Sequence, residues 1–312
     1  MKLISVVGPT ASGKTKLGVL LAKQLGGEVV SIDSMQIYRG MAIGTAAPTA
    51  AETEGVPHHM VGVADPAESW SAARFVQAAD TCIQDILARG KRPVLVGGTG
   101  LYLDAVLAGR TFAAGSAGGK VRAELDRRLA ENGVQPLLEE LRQVDPESAR
   151  RLHPSDTKRI LRALEVWRET GKTISQHNAE TRALPKKYES VTIGLAFRDR
   201  EDMKALIDRR VDAMLDAGLL EEVRALADRG LPEGATALQA IGYKELLPAL
   251  RGEVPLEAAV EEVKLRSRQY AKRQLTWLRR EPDIHWIYWE KKRDFAAALQ
   301  IATEIIMAEG IQ

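Results

Sequence analysis

The residues whose types and spacing could do chemistry begin close to the amino end. Gly8-Pro9-Thr10-Ala11-Ser12-Gly13-Lys14-Thr15 fits a glycine-framed pattern that ends in Lys-Thr. In such a run the glycines let backbone N–H groups curl around phosphate oxygens, and a following helix adds partial positive charge at its amino end. Lys14 would neutralise the distal phosphate, and the Thr15 hydroxyl is placed to ligate Mg²⁺. An apolar run precedes the loop and helical spacing follows it, the context the motif requires. The pattern is strong for phosphate binding and silent on the reaction.

Asp33 is the next candidate. It follows the apolar run VVSI and opens DSMQIYR (33–39). In an open parallel sheet the carboxyl ends of strands face the ligand crevice, so Asp33 belongs beside the phosphate loop. Three roles are open to it: a share in holding Mg²⁺, a general base for an attacking nucleophile, or a helix cap. Thr99, after Gly97-Gly98, could line a reaction channel or cap the next helix. The strand VLV before those glycines brings no aspartate for magnesium, which disfavours a typical ATP hydrolase.

A third feature is basic. From Lys264 to Arg280 there are seven basic residues and no acidic ones. On a helix, Arg266, Arg273 and Arg280 form one stripe flanked by Tyr270 and Trp277, and Lys264, Arg268, Lys272 and Arg279 form a second. Arginine beside aromatics suits phosphate contact and base stacking, although most basic helices are simply solvated. Lys158, Arg159 and Arg162 form another cluster at helical spacing.

Positioning these groups takes an alternation of strands and helices. Ile4–Val7, Val29–Ile32, Pro93–Val96 and 191–197 read as buried strands, and 72–89 as a helix with Phe75, Val76, Ala79, Ile83, Ile86 and Leu87 inward. This implies an α/β core with a parallel sheet covered on both faces. The run 113–119, AAGSAGG, looks like a flexible crossing; beyond it only helical patterns appear to about Thr170, 171–190 looks loop-like, and long amphipathic helices follow 197. The expected organisation is a core of 1–112 and 191–312 with a helical insertion at 113–190.

Composition narrows the class. The chain has 312 residues, 45% hydrophobic and 28% charged, with a formal net charge of +2, so any nucleic-acid surface must be local. The single cysteine, Cys82, fits a reducing compartment, and no apolar run is long enough to span a bilayer. A cytoplasmic enzyme with no membrane and no implied protein partner is the expectation. His58, His59, His153, His177 and His285 are read as scaffold or surface residues, with no zinc site.

Eight runs occur in order: GPTASGKT, DSMQIYR, IGTAAP (43–48), VPHH (56–59), VGGTGLYL (96–103), HPSDTKRILRALEV (153–166), ALQAIGYKE (237–245) and SRQYAKRQLTWLRR (267–280). Together they resemble the bacterial tRNA dimethylallyltransferases, also called tRNA isopentenyltransferases, over essentially the whole chain. The resemblance implies a P-loop NTPase-like fold in which the loop holds the diphosphate of dimethylallyl diphosphate rather than ATP. It implies transfer of the dimethylallyl group to N6 of the adenine 3′ of the anticodon, with Asp33 as base and Thr99 in the channel. It further implies Asp33, Ser34, Met35 and Gln36 at the target nucleotide, and Arg210 near the diphosphate, where its helix alone reads as solvated. Contacts to tRNA would come from Lys158, Arg159, Ile160, Leu161 and Arg162, from Gln239, Ala240, Ile241, Gly242, Tyr243 and Lys244, and from Arg122. The sequence departs from the family pattern at Ala47 (usually lysine), Gly62 (aspartate) and Ser155 (asparagine). The competing readings are a small-molecule P-loop kinase, a nucleotide-switch module and a free-nucleotide prenyltransferase; the basic helix at 264–280 disfavours the first, and the last has less use for the basic runs at 158–162 and 264–280.

Overall fold

A computed structural model describes residues 2–110, 112, 119–232 and 234–311, without the Arg182 side chain. The run expected to be a flexible crossing lies, but for Gly119, outside the described residues. The chain divides into two compact units: residues up to Gly109 with those from Lys187 onward, and Arg110–Lys186.

In the first unit the strands are β1 (Leu3–Val7), β2 (Gly27–Ser31), β3 (His58–His59), β4 (Arg92–Gly97), β5 (Ser190–Phe197) and β6 (Ile284–Trp289). They form one sheet in the order β3-β2-β4-β1-β5-β6, with every pairing parallel. β1 is central: Val6 registers with Val96 of β4 and with Ile193 of β5. All five residues of β1 are buried, as expected of a strand covered on both faces. Its one polar side chain, Ser5, is satisfied by Ser190 Oγ at 2.7 Å.

The helices of this unit are α1 (Lys14–Gln24), α2 (Ala50–Thr53), α3 (Ala72–Ala88) and α4 (Gly100–Ala108) before the insertion. α3 begins where the Ser71 side chain accepts from Arg74 N, and it buries Phe75, Val76, Ala79, Ile83 and Ile86. The second unit is helical: α5 (Lys120–Asn132), α6 (Gln135–Val144), α7 (Pro146–Arg151), α8 (Thr157–Thr170) and α9 (Ile174–Ala183). Its own core joins Leu125, Leu137, Leu138, Leu141, Ile160, Leu161 and Leu164. Each such fully buried aliphatic side chain contributes about 1.5–3 kcal/mol. Returning to the first unit, the chain forms α10 (Arg200–Asp216), α11 (Leu219–Ala227), a 3₁₀ turn at Ala237–Gln239, α12 (Tyr243–Leu250), α13 (Leu256–Leu278) and α14 (Phe295–Ala308).

Two elements correct the sequence reading. Residues 171–190 are not a loop throughout: α9 starts from a capping box, in which Thr173 and Gln176 satisfy each other's backbone N–H groups. The run after 197 is not helical throughout: IHWIYW forms β6 at the sheet edge, with Ile284, Ile287 and Trp289 buried.

Candidate active site

The phosphate loop joins β1 to α1, as its pattern requires. Gly13 caps α1 at φ 89°, a left-handed backbone that glycine adopts without strain. Lys14 Nζ lies 3.3 Å from Pro9 O. Burial first, then the Arg210 charge, push the Lys14 amine down to about 8, with Asp33 acting in the opposite sense. Arg210 is partly buried rather than a solvated helical arginine: on α10, burial lowers its pKa and the Glu52 and Asp33 charges partly offset that.

Asp33 follows β2, as expected. Its Oδ1 accepts from Met35 N at 2.9 Å and Gln36 N at 3.3 Å. These bonds fix the carboxylate at the head of a turn rather than at an α-helix cap. Lys14, Thr15, Ser31, Asp33, Gln36 and His58 line one small cavity. Gln36 faces it but is committed elsewhere: its Oε1 accepts from Ser31 Oγ, and its Nε2 donates to Thr45 O and Ala46 O. Its amide therefore ties the IGTAAP loop to β2, leaving little with which to read a nucleotide. Ser34 and Met35 are partly buried beside it.

Thr99 stands at the amino end of α4 but does not cap it; its Oγ1 is buried and acts on the Tyr270 phenol. It lines an apolar pocket with Gly98, Gly100, Leu103 and Leu278, separated from the Asp33 cavity by Gly97, which lines both. Tyr270 of α13 reaches the same place. Burial and the Asp33 charge push its phenol up to about 12, opposed by the Thr99 hydroxyl, Arg273 and Gln274. Tyr102 is likewise raised by burial, by Tyr38 and by Asp33.

Gln274 is the tie that sequence reading missed. It is buried on the basic helix, where Oε1 accepts from Thr10 N at 2.9 Å and Nε2 donates to Gly98 O at 3.0 Å. One amide thereby joins the phosphate loop to the glycine loop that carries Thr99. Gly98 suits this approach, because a Cβ there would collide with the Gln274 amide and with Gly8 O. A polar residue on the face shared with Val263, Ala271 and Leu278 was the available signal. His58 lines the cavity: Nδ1 is 2.8 Å from Val56 O, while Nε2 is buried without a hydrogen-bond partner among the described residues.

The expected RNA contacts separate into exposed and buried groups. Lys158 and Arg159 are exposed on α8, but Ile160 and Leu161 are in the core of the second unit, because they fall on the apolar face of the helix. Arg162 binds Glu165, itself 1% exposed, at 2.8 Å, and Arg122 approaches the same carboxylate at 4.0 Å. Gln239 and Lys244 are exposed and Ile241 partly so, but Ala240, Gly242 and Tyr243 are buried. The Tyr243 hydroxyl donates to Glu222 Oε1 at 2.5 Å. Glu222 also accepts from Ile43 N and Gly44 N, so Tyr243 anchors a loop instead of facing RNA. On α13, Arg266 pairs with Glu262 and Arg268 with Asp208, whereas exposed Arg273 lies over Tyr270 at 5.7 Å. Arg280 lies in the turn beyond the last helical residue, Leu278. Of the departures from the family pattern, Gly62 sits at φ 62°, and Ser155 Oγ meets His153 Nδ1 at 2.8 Å in a local turn. Nothing in the structure explains Ala47.

Among the described residues no group of three or more His, Cys, Asp or Glu could hold a metal by itself. Thr15, on the cavity wall, fits Mg²⁺ of the kind bound through one hydroxyl, substrate phosphates and waters.

A family model described as IPP transferase matches residues 36–281, and one described as isopentenyl transferase matches 1–61. A tRNA dimethylallyltransferase of Geobacillus thermodenitrificans is 46% identical over 300 residues, covering 96% of this chain and 94% of that protein. The solved full-length tRNA isopentenylpyrophosphate transferase of Bacillus halodurans superposes with a TM-score of 0.73 at 42% identity, covering 99% of this chain and 96% of that one. A eukaryotic dimethylallyltransferase solved in snapshots acting on tRNA gives a TM-score of 0.82 at 29% identity, covering all of this chain (100%) and 80% of its own. The likeness thus runs along the whole polypeptide and includes the phosphate loop, and the chain belongs to the tRNA dimethylallyltransferase, or IPP transferase, family.

Proposed function

We propose that this enzyme transfers a dimethylallyl group from dimethylallyl diphosphate to N6 of the adenine 3′-adjacent to the anticodon of tRNA, with Asp33 as the base and the Lys14 loop as the leaving-group cradle. The observation that carries this reading is the single cavity shared by Lys14, Thr15 and Asp33, which sets a phosphate cradle beside a carboxylate. The exocyclic amine is a poor nucleophile because its lone pair is delocalised into the ring. As the N6–C bond forms, Asp33 takes the N6 proton, and the C–O bond to diphosphate breaks with its electron pair leaving on oxygen. Lys14, Arg210 and the loop N–H groups are placed to stabilise that departing charge. The Thr15 hydroxyl would hold Mg²⁺, which supplies further neutralisation there. The apolar side chains of Leu103 and Leu278 beside Thr99 are of the kind that would face an allylic chain and exclude water from it.

The target adenine must leave its stack to reach Asp33. Exposed Lys158, Arg159, Gln239, Lys244 and Arg273 are the side chains best placed to hold the RNA. A cytosolic location suits a tRNA substrate and the free thiol of Cys82. The test is incubation with Mg²⁺, labelled dimethylallyl diphosphate and an anticodon stem-loop. Label is expected on adenine N6; ATP consumption without label would overturn the reading in favour of a kinase.

A further inference from the structure

The turn from β6 to α14 closes over the phosphate loop. Trp289 Nε1 donates to Ser12 O at 2.7 Å, the Phe295 ring fills the space a side chain on Gly13 would need, and Arg293 Nη1 donates to Ala11 O at 3.3 Å. Ala11 is held at φ 62°, a backbone conformation uncommon for a residue with a Cβ. Arg293 is exposed, lies over the Phe295 ring at 5.8 Å and has no ion pair among the described residues. The charged neighbour that acts most on it is of its own sign. Beyond burial, Arg209 disfavours the charge on Arg293, and Arg293 in turn disfavours the charge on Arg210. Glu52 and Asp33 offset part of that repulsion at Arg210, but neither forms an ion pair with Arg293 among the described residues, and an anion arriving between the guanidinium groups would relieve the rest.

We propose that Arg293 is a further binding residue for the diphosphate of the donor, exchanging its hold on the Ala11 carbonyl for a diphosphate oxygen. This deepens the reading of the loop as a diphosphate cradle and rests on it. Ala11 belongs to the loop whose backbone wraps the phosphates, so the exchange needs only a short swing of a flexible side chain. The planar guanidinium fork suits paired phosphate oxygens, and its hold on Phe295 orders it beforehand. Arg293 also lies past the span 36–281 that the IPP transferase model matches.

The test compares the wild type with Arg293→Ala, Arg293→Gln and Arg293→Lys. Binding of inorganic diphosphate is measured by calorimetry with and without Mg²⁺, and KM is measured for dimethylallyl diphosphate beside the dissociation constant for tRNA. The alanine and glutamine variants should bind diphosphate about tenfold more weakly and raise the donor KM by a similar factor, with tRNA affinity unchanged. The lysine variant should recover part of the loss. Glutamine can still donate to Ala11 O but carries no charge. If it binds diphosphate as the wild type does, Arg293 only braces the loop and the proposal is overturned; an unaffected alanine variant overturns it as well. A wild-type protein that transfers nothing to tRNA overturns the proposed reaction instead, while the diphosphate titrations still decide Arg293.

Discussion

Around the phosphate loop, Lys14, Arg210 and Arg293 carry charge without an ion pair among the described residues, and two of them depress the pKa of a neighbouring cation. In the helical unit, by contrast, Arg122, Arg127, Arg128, Arg162 and Arg168 each meet a carboxylate at 4.0 Å or less. The two regions hold the same residue types for different ends. The first keeps charge in reserve for a small anion of fixed geometry, at a cost to the empty fold. The second pairs its arginines with its own carboxylates, the exposed pairs contributing little to stability and the buried Glu165 more. Lys158 and Arg159 are exposed and have no ion pair among the described residues.

The sharpest way to break this comparison is to show that the unpaired end is not where reaction occurs. Asp33→Asn should lower turnover by roughly two to four orders of magnitude in single-turnover assays, while tRNA affinity is retained. An unchanged rate would remove the base from the mechanism.

A pH profile is next in size. In the free enzyme Lys14 loses its proton as pH rises through about 8. Above that pH, kcat/KM for dimethylallyl diphosphate should fall by about tenfold per unit, and Lys14→Arg should shift the fall upward. The stability linkage has the opposite sign. Between about 8 and 10.5 the unfolded chain holds the proton that the folded chain has lost, so Lys14 adds stability as pH rises through that window. Chemical denaturation across those pH values checks the sign.

For the helical unit, Glu165→Gln removes the buried charge that holds Arg162 and that Arg122 approaches. It should cost about 1–3 kcal/mol, read from urea melts. A neutral result would mean that these pairs do not stabilise the unit. The smallest effect separates paired from unpaired cations on one helix. Arg273→Ala should weaken tRNA binding and reduce the salt slope by about one, whereas Arg266→Ala, whose charge already meets Glu262, should change it less. Equal effects would erase the distinction.

Much of this site was legible from residue order. The loop after a buried strand and Asp33 at the end of the next follow from spacing and from the way parallel sheets present their carboxyl ends. What was not legible depends on partners far along the chain. Gln274 reads as one polar residue in a basic helix until its amide is seen against Thr10 and Gly98. Tyr270 reads as an aromatic beside an arginine stripe and instead faces Thr99 and Asp33. Tyr243 and Ile160 stand in runs rich in polar residues, yet the helical period turns them into the core. β6 is hard to read because IHWIYW alternates imperfectly and follows a long helix; α9 reads as loop from its polar composition, although Thr173 and Gln176, three positions apart, are its capping-box signal.

The central place of β1 also bears on how the protein is made. Of its two neighbours, β4 emerges from the ribosome early, but β5 follows only after the whole helical unit. The bond from Trp289 to Ser12 spans 277 residues of chain. At roughly 5–20 residues per second, the loop waits on the order of tens of seconds between its own synthesis and the arrival of that last brace. A nascent chain therefore carries the signature of phosphate binding long before it has a competent cradle, and a polypeptide released early would have the motif without the enzyme.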